Sequence, residues 1–129
     1  MKNSRVTKLL LIPFLVLGIM CTSCGFKEGK DAGEKAVTEF HDQFNNEKYH
    51  EIYSAADDRF KQASTEQEIL DLLQAIHRKL GTVKNASEAG FFVNTNPLET
   101  VVTLTYQTEF AEGKGDEQFV YSVKSGRLC

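Results

Sequence analysis

ETVVTLTYQTEFAEGKGDEQFVYSVK, residues 99–124, decides the fold. Over 101–110, Val102, Leu104, Tyr106 and Phe110 share one side, while Val101, Thr103, Thr105 and Gln107 share the other. A period of two is a strand with one face on a core. AEGKGD, residues 111–116, reads as a hairpin loop, and QFVYSVK, residues 118–124, as the next strand, with Phe119, Tyr121 and Val123 on one face. KSGR, residues 124–127, is a further turn signal. Upstream, TVKNASEAGFFV, residues 82–93, is a third strand with a bulge expected near Gly90. Residues 94–97 supply the turn chemistry that joins it to the strand at 99–110.

Before Gly81 the period is helical. From about Asp31, the apolar residues Ala32, Ala36, Val37, Phe40 and Phe44 make one buried stripe, which Asn45 and Asn46 should end. One or two helical turns follow, with Ile52, Tyr53, Ala56 and Phe60 on one side. The next helix has Ser64 or Thr65 as N-cap and Gln67 or Glu68 as capping-box partner. Ile69, Leu72, Leu73, Ile76 and Leu80 form its stripe. His77, Arg78 and Lys79 suit the negative end of its dipole, and Gly81 stops it. Helices first and an antiparallel meander afterwards predict an α+β domain, its helices packed on one face of a curved sheet.

The N-terminus carries a different kind of information. Residues 9–20, LLLIPFLVLGIM, are an apolar run of twelve behind the basic residues Lys2, Arg5 and Lys8. Twelve residues are too few to span a bilayer as a helix, which takes about 20. A basic start, a short apolar middle and small residues after it form a cleaved signal peptide. Cys21 and Cys24 have the spacing of a redox or zinc pair, but no second pair follows and His41, His50 and His77 are not spaced as a finger. The stretch resembles a bacterial lipobox, in which a cysteine after small residues is acylated and becomes the first residue of the mature chain. Ser23 and Thr22 precede Cys24, whereas Met20 precedes Cys21, so Cys24 is the expected lipid attachment and Cys21 the alternative. Where the family usually has Leu, three places before the acylated residue, this chain has Cys21. The predicted division is signal peptide 1–23, tether 24–30 and a single α+β domain 31–129.

At 129 residues the chain has room for one domain, and 41% hydrophobic with 26% charged residues is an ordinary globular balance. Of its 15 basic residues three lie in the first 23 positions, which hold no acid; the remaining 12 face 18 acidic residues, a net of −6. That charge argues against nucleic acid as a partner.

EFHDQFNNEKYHEIYSAADDRFK, the helix ending in RKLGTVKNA, and the strands VTLTYQTEF and EQFVYSV resemble small bacterial lipoproteins with a nuclear transport factor 2-like domain, over roughly residues 33–128. The resemblance implies a cone-like (cystatin-like) domain held at the cell envelope by an N-terminal lipid, on the periplasmic face in a Gram-negative cell. It also implies a further strand after KSGR, which this chain stops short of. The open edge is then expected to invite pairing with a second copy. Some members of the superfamily are isomerases and dehydratases with an Asp, Tyr or His deep in the cone.

The candidate residues are read against that background. Phe44, Tyr53, Phe60, Tyr106 and Tyr121 are the expected lining of a cone cavity that could take a small apolar ligand or a protein partner. Neighbours on a helix point about 100° apart, so His41 and Asp42 are read as a solvated face rather than an acid–base pair. Tyr49, His50 and Tyr53 are read as half-buried packing with polar tips outside. Asp57 and Asp58 are expected on an exposed face or as a cap, and Cys129 as an incidental thiol. No GxGxxG, P-loop, HExxH or GxSxG motif occurs. No cofactor, metal or catalytic residue is predicted. The expectation is a lipid-anchored, non-catalytic binding or interaction domain, with an isomerase- or dehydratase-like enzyme as the alternative.

Overall fold

The computed structural model describes residues 24–124 and 127–128. The apolar run 9–20, Cys21 and Cys129 lie outside the described residues. Helices α1 (Cys24–Asn45), α2 (Tyr49–Ala55), α3 (Asp58–Ala63) and α4 (Glu66–Leu80) precede strands β1 (Val83–Thr95), β2 (Thr100–Phe110), β3 (Gly113–Lys124) and β4 (Arg127–Leu128). The strands form one antiparallel sheet in the order β1-β2-β3-β4, so the α+β architecture is the observed one.

The periodicity of β2 fixes the faces. Val102, Leu104, Tyr106, Thr108 and Phe110 are all buried. Val102 faces Val93 and Tyr121 across the ladders, and Leu104 faces Phe91 and Phe119. The register shifts between Glu88 and Gly90, where the extra residue of a bulge sits, and again between Val83 and Asn85. Among the described residues, β4 pairs with β3 through Val123↔Leu128 and Lys124↔Arg127.

The β2–β3 connection is tighter than its composition suggests. Phe110 pairs with Gly113, so the turn is Ala111 and Glu112 alone, and most of AEGKGD is strand. The turn is held from outside: Ala111 N–H donates to Thr82 O at 2.9 Å and Glu112 N–H to Leu80 O at 2.8 Å. The end of α4 therefore sets a geometry that the turn residues do not specify themselves.

α1 also departs from expectation. It begins at Cys24, so the residues predicted as a tether are helical. Gly29, within the predicted tether, and Gly33, just beyond it, lie on the face that meets the sheet. A Cβ on Gly29 would stand 3.6 Å from Val102 Cγ2, and one on Gly33 would stand 2.9 Å from Leu104 Cδ1. Without side chains at these positions the helix backbone comes down onto β2. Gly33, Val37, His41 and Phe44 continue the same buried stripe. The helix runs the length of the sheet. Gly29 lies at Val102 and Val123, whereas Asn45 at the far end exchanges two hydrogen bonds with the backbone of Val83, at 3.1 and 2.7 Å.

α1 closes with Lys48 N–H on Gln43 O and Glu47 N–H on Phe44 O, the two bonds of a Schellman motif. Glu47 takes the left-handed position at φ 57°, where glycine is usual. α3 is capped by Asp57, whose carboxylate accepts from Arg59 N–H at 2.8 Å. α4 carries the complete capping box of Thr65 and Glu68 and ends on Gly81 at φ 77°.

Two apolar clusters result. Val37, Val102, Leu104 and Tyr106 fill the contact between α1 and the middle of the sheet. Phe44, Tyr49, Leu73 and Phe110 fill the space where α1, α2 and α4 meet the end of β2. Ile69, Leu70, Ile76 and Leu80 pack on the second cluster, but Leu72, expected in that stripe, is 54% exposed. Residues 69, 73, 76 and 80 already complete one face at helical spacing, and Leu72 falls outside it.

Candidate functional site

Three polar side chains meet inside the helix–sheet contact. His41 comes from α1, four residues after Val37. Thr108 comes from β2, between Tyr106 and Phe110. Glu117 comes from β3, two residues before Phe119. Each sits at a position whose periodicity points to the core. His41 Nε2 lies 2.7 Å from Glu117 Oε2, and Thr108 Oγ donates to the same oxygen at 2.5 Å. His41 is 8% exposed and Thr108 1%.

The surroundings are aromatic. The His41 ring stands edge-on to Phe40, Tyr106 and Phe119, with centroids 5.8, 6.5 and 5.7 Å away. Burial pushes the Tyr121 phenol far above its ordinary value, and it moves Tyr106 upward too. Both stay protonated hydroxyls at neutral pH. Among the described residues, no buried side-chain nitrogen or oxygen lacks a hydrogen-bond partner. The cluster is thus a satisfied polar network inside an apolar contact, which fixes the register of α1 on the sheet.

His41 therefore does not lie on the solvated face expected from the sequence; only its neighbour Asp42 does. Adjacent helix positions do point apart, but the partner of His41 lies 76 residues away in sequence. The available signal was the polar residue at a core-parity position on each of three elements.

The five aromatic residues expected to line one cavity fall apart. Phe44 belongs to the second cluster, and Tyr106 to the first, with Tyr121 packed beside it. Tyr53 is half-buried and its hydroxyl donates to Ser64 O at 3.0 Å. Phe60 is 44% exposed on the short α3, so it lines no cone interior. Tyr49 is more deeply buried than expected, with its hydroxyl 2.8 Å from His77 Nδ1, while His50 stays on the surface beside Glu66.

A separate groove of about 370 Å³ lies on the opposite face of the sheet. It crosses three strands and is lined by Asn85, Ser87, Gln107, Glu109, Lys114 and Asp116. Lys114 Nζ pairs with Glu109 Oε1 at 2.6 Å. Its lining side chains carry hydroxyl, amide and charged groups.

No family model matches the sequence, and no curated protein matches it. Among the described residues no helix is long and apolar enough to cross a membrane, and no three His, Cys, Asp or Glu side chains are gathered as metal ligands.

Proposed function

We propose that this chain is an exported protein held at the bacterial cell envelope by acyl chains on Cys24, with Cys21 removed along with residues 1–23. In a Gram-negative cell the domain would stand on the periplasmic side. The observation that carries this reading is the apolar run 9–20 followed by Thr22, Ser23 and Cys24. Twelve apolar residues are too short for a spanning helix, and stable attachment then needs more than one acyl chain. The α1 helix beginning at Cys24 makes the attachment short and stiff, so the domain would sit close to the bilayer. Metabolic palmitate labelling tests this. Label should vanish with Cys24→Ala and persist with Cys21→Ala; the reverse pattern overturns the assignment.

The helices-then-meander order fits a cone-like domain of the nuclear transport factor 2-like kind. Its role is interaction rather than catalysis. In support, the buried acid–base pair His41–Glu117 is closed in by aromatic rings and shared with Thr108, an arrangement that holds α1 to the sheet. The same pair is what an isomerase or dehydratase would use, which keeps that alternative specific. It predicts that Glu117→Gln abolishes turnover on a substrate without altering binding. A partner has two surfaces available. One is the polar groove on the outer sheet face. The other is the edge of β3, where among the described residues β4 pairs at Val123 and Lys124, and which a second copy could extend. Sedimentation of the domain separates them: a strict monomer excludes the edge-paired dimer.

A further inference from the structure

The turn between β1 and β2 presents an apolar side chain to solvent on a rigid support. Asn96 Oδ1 accepts from the backbone N–H of Leu98 at 2.8 Å and of Glu99 at 3.0 Å, and Asn96 N–H donates to Glu99 O at 3.0 Å. Glu99 is gripped by Arg59 through two parallel bonds of 3.1 Å and accepts from Ser122 Oγ at 2.5 Å. The turn is thereby tied both to α3 and to β3. Leu98, between these fixed points, is 88% exposed. Further along β1, Phe92 is 65% exposed on the outer face.

The position of this turn matters as much as its composition. Gly29 of α1 packs at the level of Val102 and Val123. From there Cys24 lies five residues back, about 7.5 Å along a helix axis. Leu98 lies four residues back from Val102, at most about 13 Å along a strand. Both project from the same end of the molecule. The opposite end carries the Ala111–Glu112 turn and the close of α1 at Asn45. Residues 1–23, with their apolar run, precede Cys24 and therefore join the described chain at the end where Leu98 stands.

We propose that the β1–β2 turn is a second membrane contact, with Leu98 entering the lipid surface to which Cys24 is attached. The proposal rests on the lipid-anchoring reading above. A short, stiff attachment at one point still lets the domain tilt about its acyl chains, whereas a second rigid apolar point beside it fixes one orientation. That orientation stands the strands along the membrane normal and leaves the outer groove facing sideways rather than toward the lipid. The domain is net acidic, so the contact is apolar rather than a charge attraction to anionic headgroups.

The chain has no tryptophan, so Leu98→Trp introduces a single indole at the turn and Glu112→Trp one at the opposite end. Each full chain is isolated with its lipid and placed in phosphatidylethanolamine–phosphatidylglycerol vesicles whose acyl chains are brominated. Palmitate label on Cys24 is measured in the same samples. The expected result is loss of fluorescence and a shift to shorter wavelength for the indole at 98, with neither change at 112. Equal responses at 98 and 112 with Cys24 labelled overturn the turn contact and leave the anchor standing. Quenching at 98 with Cys24 unlabelled overturns the anchor and leaves the turn as a membrane contact in its own right. No label and no quenching overturn both.

Discussion

His41 Nε2 and Glu117 Oε2, 2.7 Å apart, join the long helix α1 to the third strand of the sheet across 76 positions of sequence. The bond lies between the two apolar clusters, where α1 could otherwise slide along β2. A polar network in such a place is costly when half made, because each member has already lost water. Its side chains are 11% and 21% exposed, so solvent screening is limited but not absent.

Replacing one member should therefore harm the fold more than replacing all three. His41→Leu is expected to lower stability by about 1–3 kcal/mol, since it takes one partner from the Glu117 carboxylate and leaves Thr108 Oγ on it. His41→Leu with Glu117→Leu and Thr108→Val should recover part of that loss, because apolar groups of similar volume often replace a buried polar network at little cost. Urea midpoints of the single and triple variants decide it. A triple variant less stable than His41→Leu alone contradicts this role for the network.

The two glycines of α1 make opposite demands. A methyl at Gly33 would stand 2.9 Å from Leu104 Cδ1, and Leu104 is fully buried, so it must shift within a packed core. Overpacking of about 1–3 kcal/mol outweighs the gain of about 1 kcal/mol that alanine brings to a helix. At Gly29 the nearest atom would be 3.6 Å away, an ordinary contact, so only the gain remains. Gly33→Ala should lower the melting temperature and Gly29→Ala should raise it. Equal shifts of one sign would mean that α1 does not approach β2 as described.

These glycines also show where the sequence was legible and where it was not. The strand faces of β2 followed from alternation alone, because one face of an antiparallel sheet is buried and the other wet. The Thr65–Glu68 capping box and the Gly81 stop followed from local chemistry, because their partners lie within three or four residues. The start of α1 did not. Glycine between polar residues reads as a tether unless one knows that Leu104 and Val102 wait opposite, and that is a tertiary fact. The two-residue turn at Ala111–Glu112 was hidden for the same reason, since α4 supplies its hydrogen bonds. His41, Thr108 and Glu117 stood at core positions, but nothing local announced that three polar residues would meet there.

Glu47 is a site where the sequence opposes its backbone. Its φ of 57° lies in the left-handed region, which costs a side-chain-bearing residue about 1–2 kcal/mol. Glycine removes that strain but loses about 0.5–1 kcal/mol more entropy on folding. Glu47→Gly is expected to gain about 0.5–1 kcal/mol, read as a higher melting temperature. Glu47 also stands 3.6 Å from His77 Nδ1, but with its carboxylate mostly in solvent the contact is too weak to reverse the sign. A destabilised variant would show that this contact, and not the backbone, governs the end of α1.

The last expectation concerns acid. Glu68 accepts from Thr65 N–H and Oγ, both at 2.9 Å. The backbone donor first, and the hydroxyl second, hold its carboxyl below the ordinary glutamate value of 4.5. A carboxyl whose pKa is lower when folded than when unfolded favours the fold while ionised. That contribution is present above 4.5 and fades as pH falls through the folded value. Glu68→Gln keeps the shape and removes the titration. The gap in melting temperature between the native chain and Glu68→Gln should be widest near neutral pH and close in acid. Thr65→Ala removes the hydroxyl half of the box and should cost about 0.5–2 kcal/mol at neutral pH. A gap that stays constant from neutral pH into acid would show that the Glu68 charge takes no part in holding the start of α4.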